Sequence, residues 1–183
     1  LLSKEFSTSN FTRIHLLETS GEGSFIPLER NISSTSLREI AERSNSEFVL
    51  LYTHNGGLKL AYRALERMLR TATESHADWI YSHRHTIKQG TLLAVPTNEY
   101  QEGSVRDDFD FGPLVLIRTD AIRQFLATQP EEMQFAALYQ LRLYISRNGH
   151  IVHINEYLYT EQEQDTRTSG EKQFDYVDPR NRQ

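Results

Sequence analysis

Three carboxylates fall within four residues, at Asp107, Asp108 and Asp110. Such a group binds a divalent cation through oxygen or takes a proton as a base. A solvated acidic loop is the plainer reading, but Phe109, Phe111 and Gly112 interleave with the acids and suggest a loop that packs down. A second grouping is His83-Arg84-His85. On a strand its two imidazoles share a face. With His54 they could hold zinc or another transition metal, as in a metal-dependent hydrolase. Polar side chains at a strand end are the alternative, and His150 and His153 read most simply as parts of a late strand region. A third is Thr53-His54-Asn55-Gly56-Gly57, directly after an apolar run. It is either a diphosphate or metal contact at a strand end, or an ordinary turn, since Asn-Gly is a strong turn pair. A fourth is the stretch from Asp165 to Lys172, where Arg167, Ser169 and Lys172 suit phosphate oxygens through charged donors and open backbone N–H groups. It is not a Walker loop, because the flanking glycines and the strand context are missing, and a mobile polar loop reads equally well. No Ser/His/Asp set, HExxH or GxGxxG is present.

The elements that must position these residues alternate between strand and helix. Phe48 to Tyr52 is apolar throughout, the pattern of a strand buried on both faces in a sheet covered by helices. Ile14 to Leu17, Phe25 to Leu28, Trp79 to Tyr81 and Leu114 to Ile117 read as further strands. Thr86 to Val95 reads as a hairpin around Gln89-Gly90. Ser36 and Glu39 match a capping box ahead of a short helix carrying Leu37, Ile40 and Ala41. Leu58, Ala61, Leu65, Met68, Leu69 and Ala72 predict one amphipathic helix. Thr119-Asp120 caps a helix over Ala121 to Ala127. Glu131 and Glu132 open a long helix to Arg147, with Gly149 to end it. Ile151 to Ile154 and Tyr157 to Thr160 close the series as strands. Alternation of this kind predicts a layered α/β fold with a mixed sheet. Ligands in such sheets bind beyond the carboxyl ends of strands. Four places qualify: Glu18-Thr19, Thr53 to Asn55, His83 to His85 and the loop leading to Gly112.

Composition narrows the classes. A length of 183 residues fits a single domain over 1–183, and the start at Leu1 suggests a piece of a longer protein. There are no cysteines, which removes disulfides, zinc–cysteine sites and thiol catalysis. A net charge of −5 argues against nucleic acid as a partner. No apolar run approaches the roughly 18 residues a transmembrane segment needs. A cytoplasmic location is expected, compatible with peripheral attachment to the inner membrane.

Four stretches taken in order carry a resemblance: SEFVLLYTHNGGLKLAYRALERML, ADWIYSHRHTIKQG, YQEGSVRDDFDFGPLVLIRTDAI, and the run from YQLRLYISRNGHIVHINEYLYTEQ to the end. Together they span about residues 31–183 and resemble family 2 glycosyltransferases of the GT-A fold, in a bacterial branch. The resemblance implies a three-layer α/β/α domain with a mostly parallel mixed sheet. It implies a nucleotide-sugar donor, a glycan or lipid-linked acceptor, and Mg²⁺ or Mn²⁺ as cofactor. Thr53, His54 and Asn55 stand where such enzymes carry a DxD-type acidic motif, and none is a carboxylate. The window for the catalytic base, Ala137 to Gln140, also lacks an acid. The roles implied here are therefore base chemistry at Asp108 or Asp110 and donor diphosphate contacts at Thr53, His54, Asn55, Arg167, Ser169 and Lys172. Metal contacts would fall to Asp107 and His54. An inactive GT-A-fold binding or assembly module is the alternative.

Overall fold

The structure, a computed structural model, describes residues 12–16, 24–28, 32–54, 56–103, 105, 109–129 and 132–162. It is an α/β fold built on a mixed sheet. Among the described residues the strands are β1 (Thr12–Leu16), β2 (Ser24–Leu28), β3 (Phe48–Tyr52), β4 (Leu58–Leu60), β5 (Trp79–Lys88), β6 (Thr91–Val95), β7 (Leu114–Arg118) and β8 (Ile151–Gln162). The helices are α1 (Ser34–Arg43), α2 (Ala64–Ser75), α3 (Thr119–Thr128) and α4 (Ala137–Asn148). The strand order is β2-β1-β3-β7-β5-β8-β4, with β6 paired to β5.

Alternation along the central strands sends side chains to two helical layers. Val49 and Leu51, Trp79 and Tyr81, and Val115 and Ile117 pack with Leu37 and Ile40 of α1, Ile122 and Phe125 of α3, and Leu141 and Ile145 of α4. Phe48 and Leu50, Ile80, and Leu114 and Leu116 pack on the other face with Ala64, Met68 and Ala72 of α2. A strand apolar at every position is thereby used on both sides, as its composition predicted.

The direction of the strands corrects the expectation of a mostly parallel sheet. Among the described residues six pairings are antiparallel and one, β5 with β8, is parallel. Apolar runs report burial on both faces, and burial carries no information on direction. Here β7 runs antiparallel between β3 and β5 and separates strands that point the same way. As a result β3, β5 and β8 all end on one edge of the sheet, the edge at which β7 begins.

Several local expectations shift. Ser33 is the N-cap of α1: its Oγ accepts from Ser36 N–H at 3.1 Å, and Ser33 N–H donates back to Ser36 Oγ at 3.3 Å. Ser36 is thus the returning partner of the box, and Glu39 instead accepts from Arg43 at 2.6 Å. The helix expected from Leu58 begins at Ala64, because Leu58 to Leu60 first pairs with β8. Leu58 and Leu60 fit a two-residue period as well as a helical stripe. α4 starts at Ala137, and Glu132 accepts from Arg38 of α1 at 3.2 Å rather than opening a helix. The two closing strands are one, β8, with register shifts opposite Ser82/His83 and His83/Arg84. The hairpin stands as expected, with Gln89 and Gly90 both at positive φ, 49° and 78°.

Candidate functional site at the carboxyl edge of the sheet

Thr53 and His54 leave the end of β3, and backbone and side chain of Thr53 both donate to the Pro113 carbonyl, at 2.8 and 3.3 Å. The turn that follows is tied to β8 by a bond from Gln162 N–H to the Gly57 carbonyl, 2.8 Å. The Tyr52 hydroxyl donates to the Gly56 carbonyl at 3.2 Å. These contacts bring His54 onto Glu161 near the end of β8.

Glu161 is the centre of the edge. It is 6% exposed. Its Oε2 meets His54 Nδ1 at 2.8 Å, and its Oε1 accepts from Arg84 Nε and from Thr86 Oγ1, both at 3.1 Å. An ionised carboxylate only accepts, so Nδ1 of His54 carries the hydrogen of this bond. Burial works to raise the Glu161 carboxyl. The hydrogen bond and charge of His54, the charge of Arg84 and the Thr86 hydroxyl outweigh it and hold the group below its ordinary range.

Arg84 bridges outward. While Nε faces Glu161, Nη1 donates to Asp110 Oδ2 at 3.0 Å. Burial disfavours its charge, but Asp110 first, then Tyr159 and Glu161, hold the guanidinium above its usual value. Asp110 also accepts from Gly112 N–H through Oδ1, at 2.7 Å. The chain turns at Gly112 with φ of 76°, and a Cβ there would lie 2.5 Å from the Tyr159 hydroxyl, so only glycine lets the loop approach β8 this closely. Burial raises the phenols of both Tyr52 and Tyr159 far above their usual range. Arg142 of α4 also approaches this stretch, its Cζ 5.6 Å from the centre of the Phe111 ring. Burial lowers its pKa, partly opposed by the charge of Asp110.

The second histidine group lies on the other face of β5. Thr97 N–H donates to His83 Nδ1 at 3.1 Å, so Nε2 carries the hydrogen and donates to Asn155 Oδ1 at 2.6 Å. His153 Nε2 lies 3.3 Å from His83 Nδ1 and 3.0 Å from Thr97 Oγ1. Burial and the neighbouring His83 lower His153, against the charge of Glu99. Tyr81 stacks on His153 and Tyr157 on His85, with ring centres 4.6 and 4.5 Å apart.

These positions decide several expectations. The carboxyl end of β3 and the loop before Gly112 do meet, with Thr53, His54 and Asp110 at one edge, but His83 to His85, expected at a strand end, lie inside β5, which runs on to Lys88. The three-imidazole metal site does not form. Arg84 and Thr86 alternate with His83 and His85 on β5, and His54 reaches the Arg84 side through Glu161. Among the described residues no group of three or more His, Asp or Glu is arranged to hold a metal ion. Asn55, Asp107, Asp108, Arg167, Ser169 and Lys172 lie outside the described residues, as does Glu18-Thr19. Glu161, Arg84 and Thr86 were not singled out from the sequence as site residues. The signal for them is the period-two placement of polar residues late in two apolar strands, with Arg84 and Thr86 facing Tyr159 and Glu161 across a parallel pair.

Mg²⁺ or Mn²⁺ takes oxygen ligands, about six of them for Mg²⁺. Both oxygens of Glu161 are engaged by donors, as are both oxygens of Asp110. The Thr53 hydroxyl donates to a carbonyl, and His54 offers one nitrogen. The described residues of this edge therefore do not fit the metal that the resemblance implies. Compared with known protein families and with curated proteins, the chain matches no family model and no curated sequence.

Proposed function

We propose that this chain is a glycosyltransferase domain of the family 2, GT-A kind, which binds a nucleotide sugar at the carboxyl edge of its sheet. The observation that carries the reading is the convergence of separate stretches of the resemblance on that edge: Thr53 and His54 from the first, Arg84 from the second, Asp110 from the third and Glu161 from the fourth. In the reaction, an acceptor hydroxyl oxygen bonds to the anomeric carbon as the bond to the nucleoside diphosphate breaks on the opposite face. Donors fixed before the reaction favour the charge that grows on the leaving diphosphate. Arg84, locked on Glu161, is such a donor. Asp108 is the acid we assign to take the acceptor proton, since Asp110 is held by Arg84 and Gly112.

Calorimetric titration with UDP-, GDP- and dTDP-sugars tests the reading, and binding of one of them is expected. Absence of binding by all three would end it. A second reading, a binding module without turnover, is favoured by the internal pairing of both Glu161 and Asp110. It predicts binding with no transfer. Transfer that is lost on Asp108→Asn would rule it out.

A further inference from the structure

Arg84 is held unequally on its two sides. Glu161, on the inner side, is 9% exposed in its side chain and bound by three donors. Asp110, on the outer side, is 56% exposed, and among the described residues its Oδ2 has Arg84 as its partner. Exposed ion pairs hold weakly, whereas a buried carboxylate with full hydrogen bonding is costly to move. Asp110 is thus the replaceable partner. The Nε and Nη1 contacts use two of the five N–H donors a guanidinium has, and its planar fork suits phosphate as well as carboxylate.

We infer that Asp110 is a placeholder: a phosphate group of the ligand displaces its carboxylate from Arg84, and the guanidinium serves there in place of a divalent cation. This rests on the nucleotide-sugar reading for the identity of the ligand. The chemistry it needs is only that of a diphosphate. Displacement leaves the Arg84–Glu161–His54 arrangement in position and frees the loop that carries Asp110. It also accounts for the misfit with Mg²⁺ or Mn²⁺, because a positive charge already stands between the two carboxylates at this edge.

The test is calorimetric titration of the full chain with inorganic pyrophosphate and with UDP, each in EDTA and in Mn²⁺, for the wild type and for Asp110→Asn. The Asn side chain keeps an Oδ1 for the Gly112 N–H, so the turn is preserved while the anionic charge is removed. The account expects binding in EDTA, strengthened in Asp110→Asn by about two- to fivefold, the range an exposed ion pair spans. Binding by the variant alone supports it equally. Binding that needs Mn²⁺, or that weakens or is unchanged in Asp110→Asn, overturns it and leaves the nucleotide-sugar reading standing. Pyrophosphate binding with no response to any nucleotide sugar keeps the placeholder and removes that reading. Absence of binding in every arm removes both.

Discussion

Glu161 shows how one buried carboxylate organises an edge. Three donors converge on it from two segments, one from the turn after β3 and two from positions of β5. Glu161→Gln supplies one acceptor oxygen in place of two and turns an amide NH₂ toward groups that now donate to the carboxylate. Unfolding free energy should fall by about 1–3 kcal/mol, read by chemical denaturation. The pH dependence follows from the direction of the shift. The folded pKa is lowered from the usual 4.5, so the contribution is fully present above that value. It is lost as pH falls through the folded pKa. Wild-type stability should therefore drop on acidification below about pH 5, more steeply than that of Glu161→Gln. At this scale the sequence was only partly legible. Thr53 and His54 were marked by their place at a strand end, and Asp110 by its place in an acidic group. Glu161 was not, because a lone glutamate late in a strand looks the same whether it faces water or three donors. The three-imidazole grouping misled because His54 and His83 lie on opposite sides of β5.

Elements were more legible where one period dominated. β3, β7 and the α1 stripe of Leu37, Ile40 and Ala41 lie where the pattern put them. Boundaries moved where two readings competed, as at Leu58 to Leu60, where pairing with β8 prevails over helical spacing. Strand direction was misread for a different reason, since it is set by the order of crossovers and not by the residues of a strand. The β5–β6 turn gives a direct test of local chemistry. Gln89 sits at φ 49°, a region that costs a straight side chain more than asparagine. Two residues at positive φ make the type I′ hairpin that favours Asn-Gly. Gln89→Asn should raise the thermal midpoint by a few degrees, corresponding to about 0.5–1 kcal/mol, read by calorimetric melting.

Across the whole molecule the two edges of the sheet contrast. The edge where β3, β5 and β8 begin is knotted by structural pairs. Arg118 contacts Glu47, reaches Asp78 Oδ1 at 3.2 Å and lies over the Phe48 ring at 4.7 Å. Asp78 Oδ2 also accepts from His150 N–H at 3.0 Å. Asp78→Ala removes both acceptors from a part-buried arginine and a backbone amide. It should cost about 1–3 kcal/mol in denaturant unfolding while leaving ligand affinity unchanged. Among the described residues no helix is long and apolar enough to cross a membrane. The carboxyl edge gathers polar groups from four separate stretches, with exposed ends at His54 and Asp110. The central claim is that this edge is the ligand site. Backbone amide NMR of the full chain during titration with the nucleotide sugar that binds would test it most directly. The account predicts shifts concentrated at Thr53 to Gly57, Arg84 to Thr86, Asp110 to Leu114 and Tyr159 to Gln162. Shifts confined to the opposite edge, around Glu47, Asp78, Arg118 and Gly149, would contradict it.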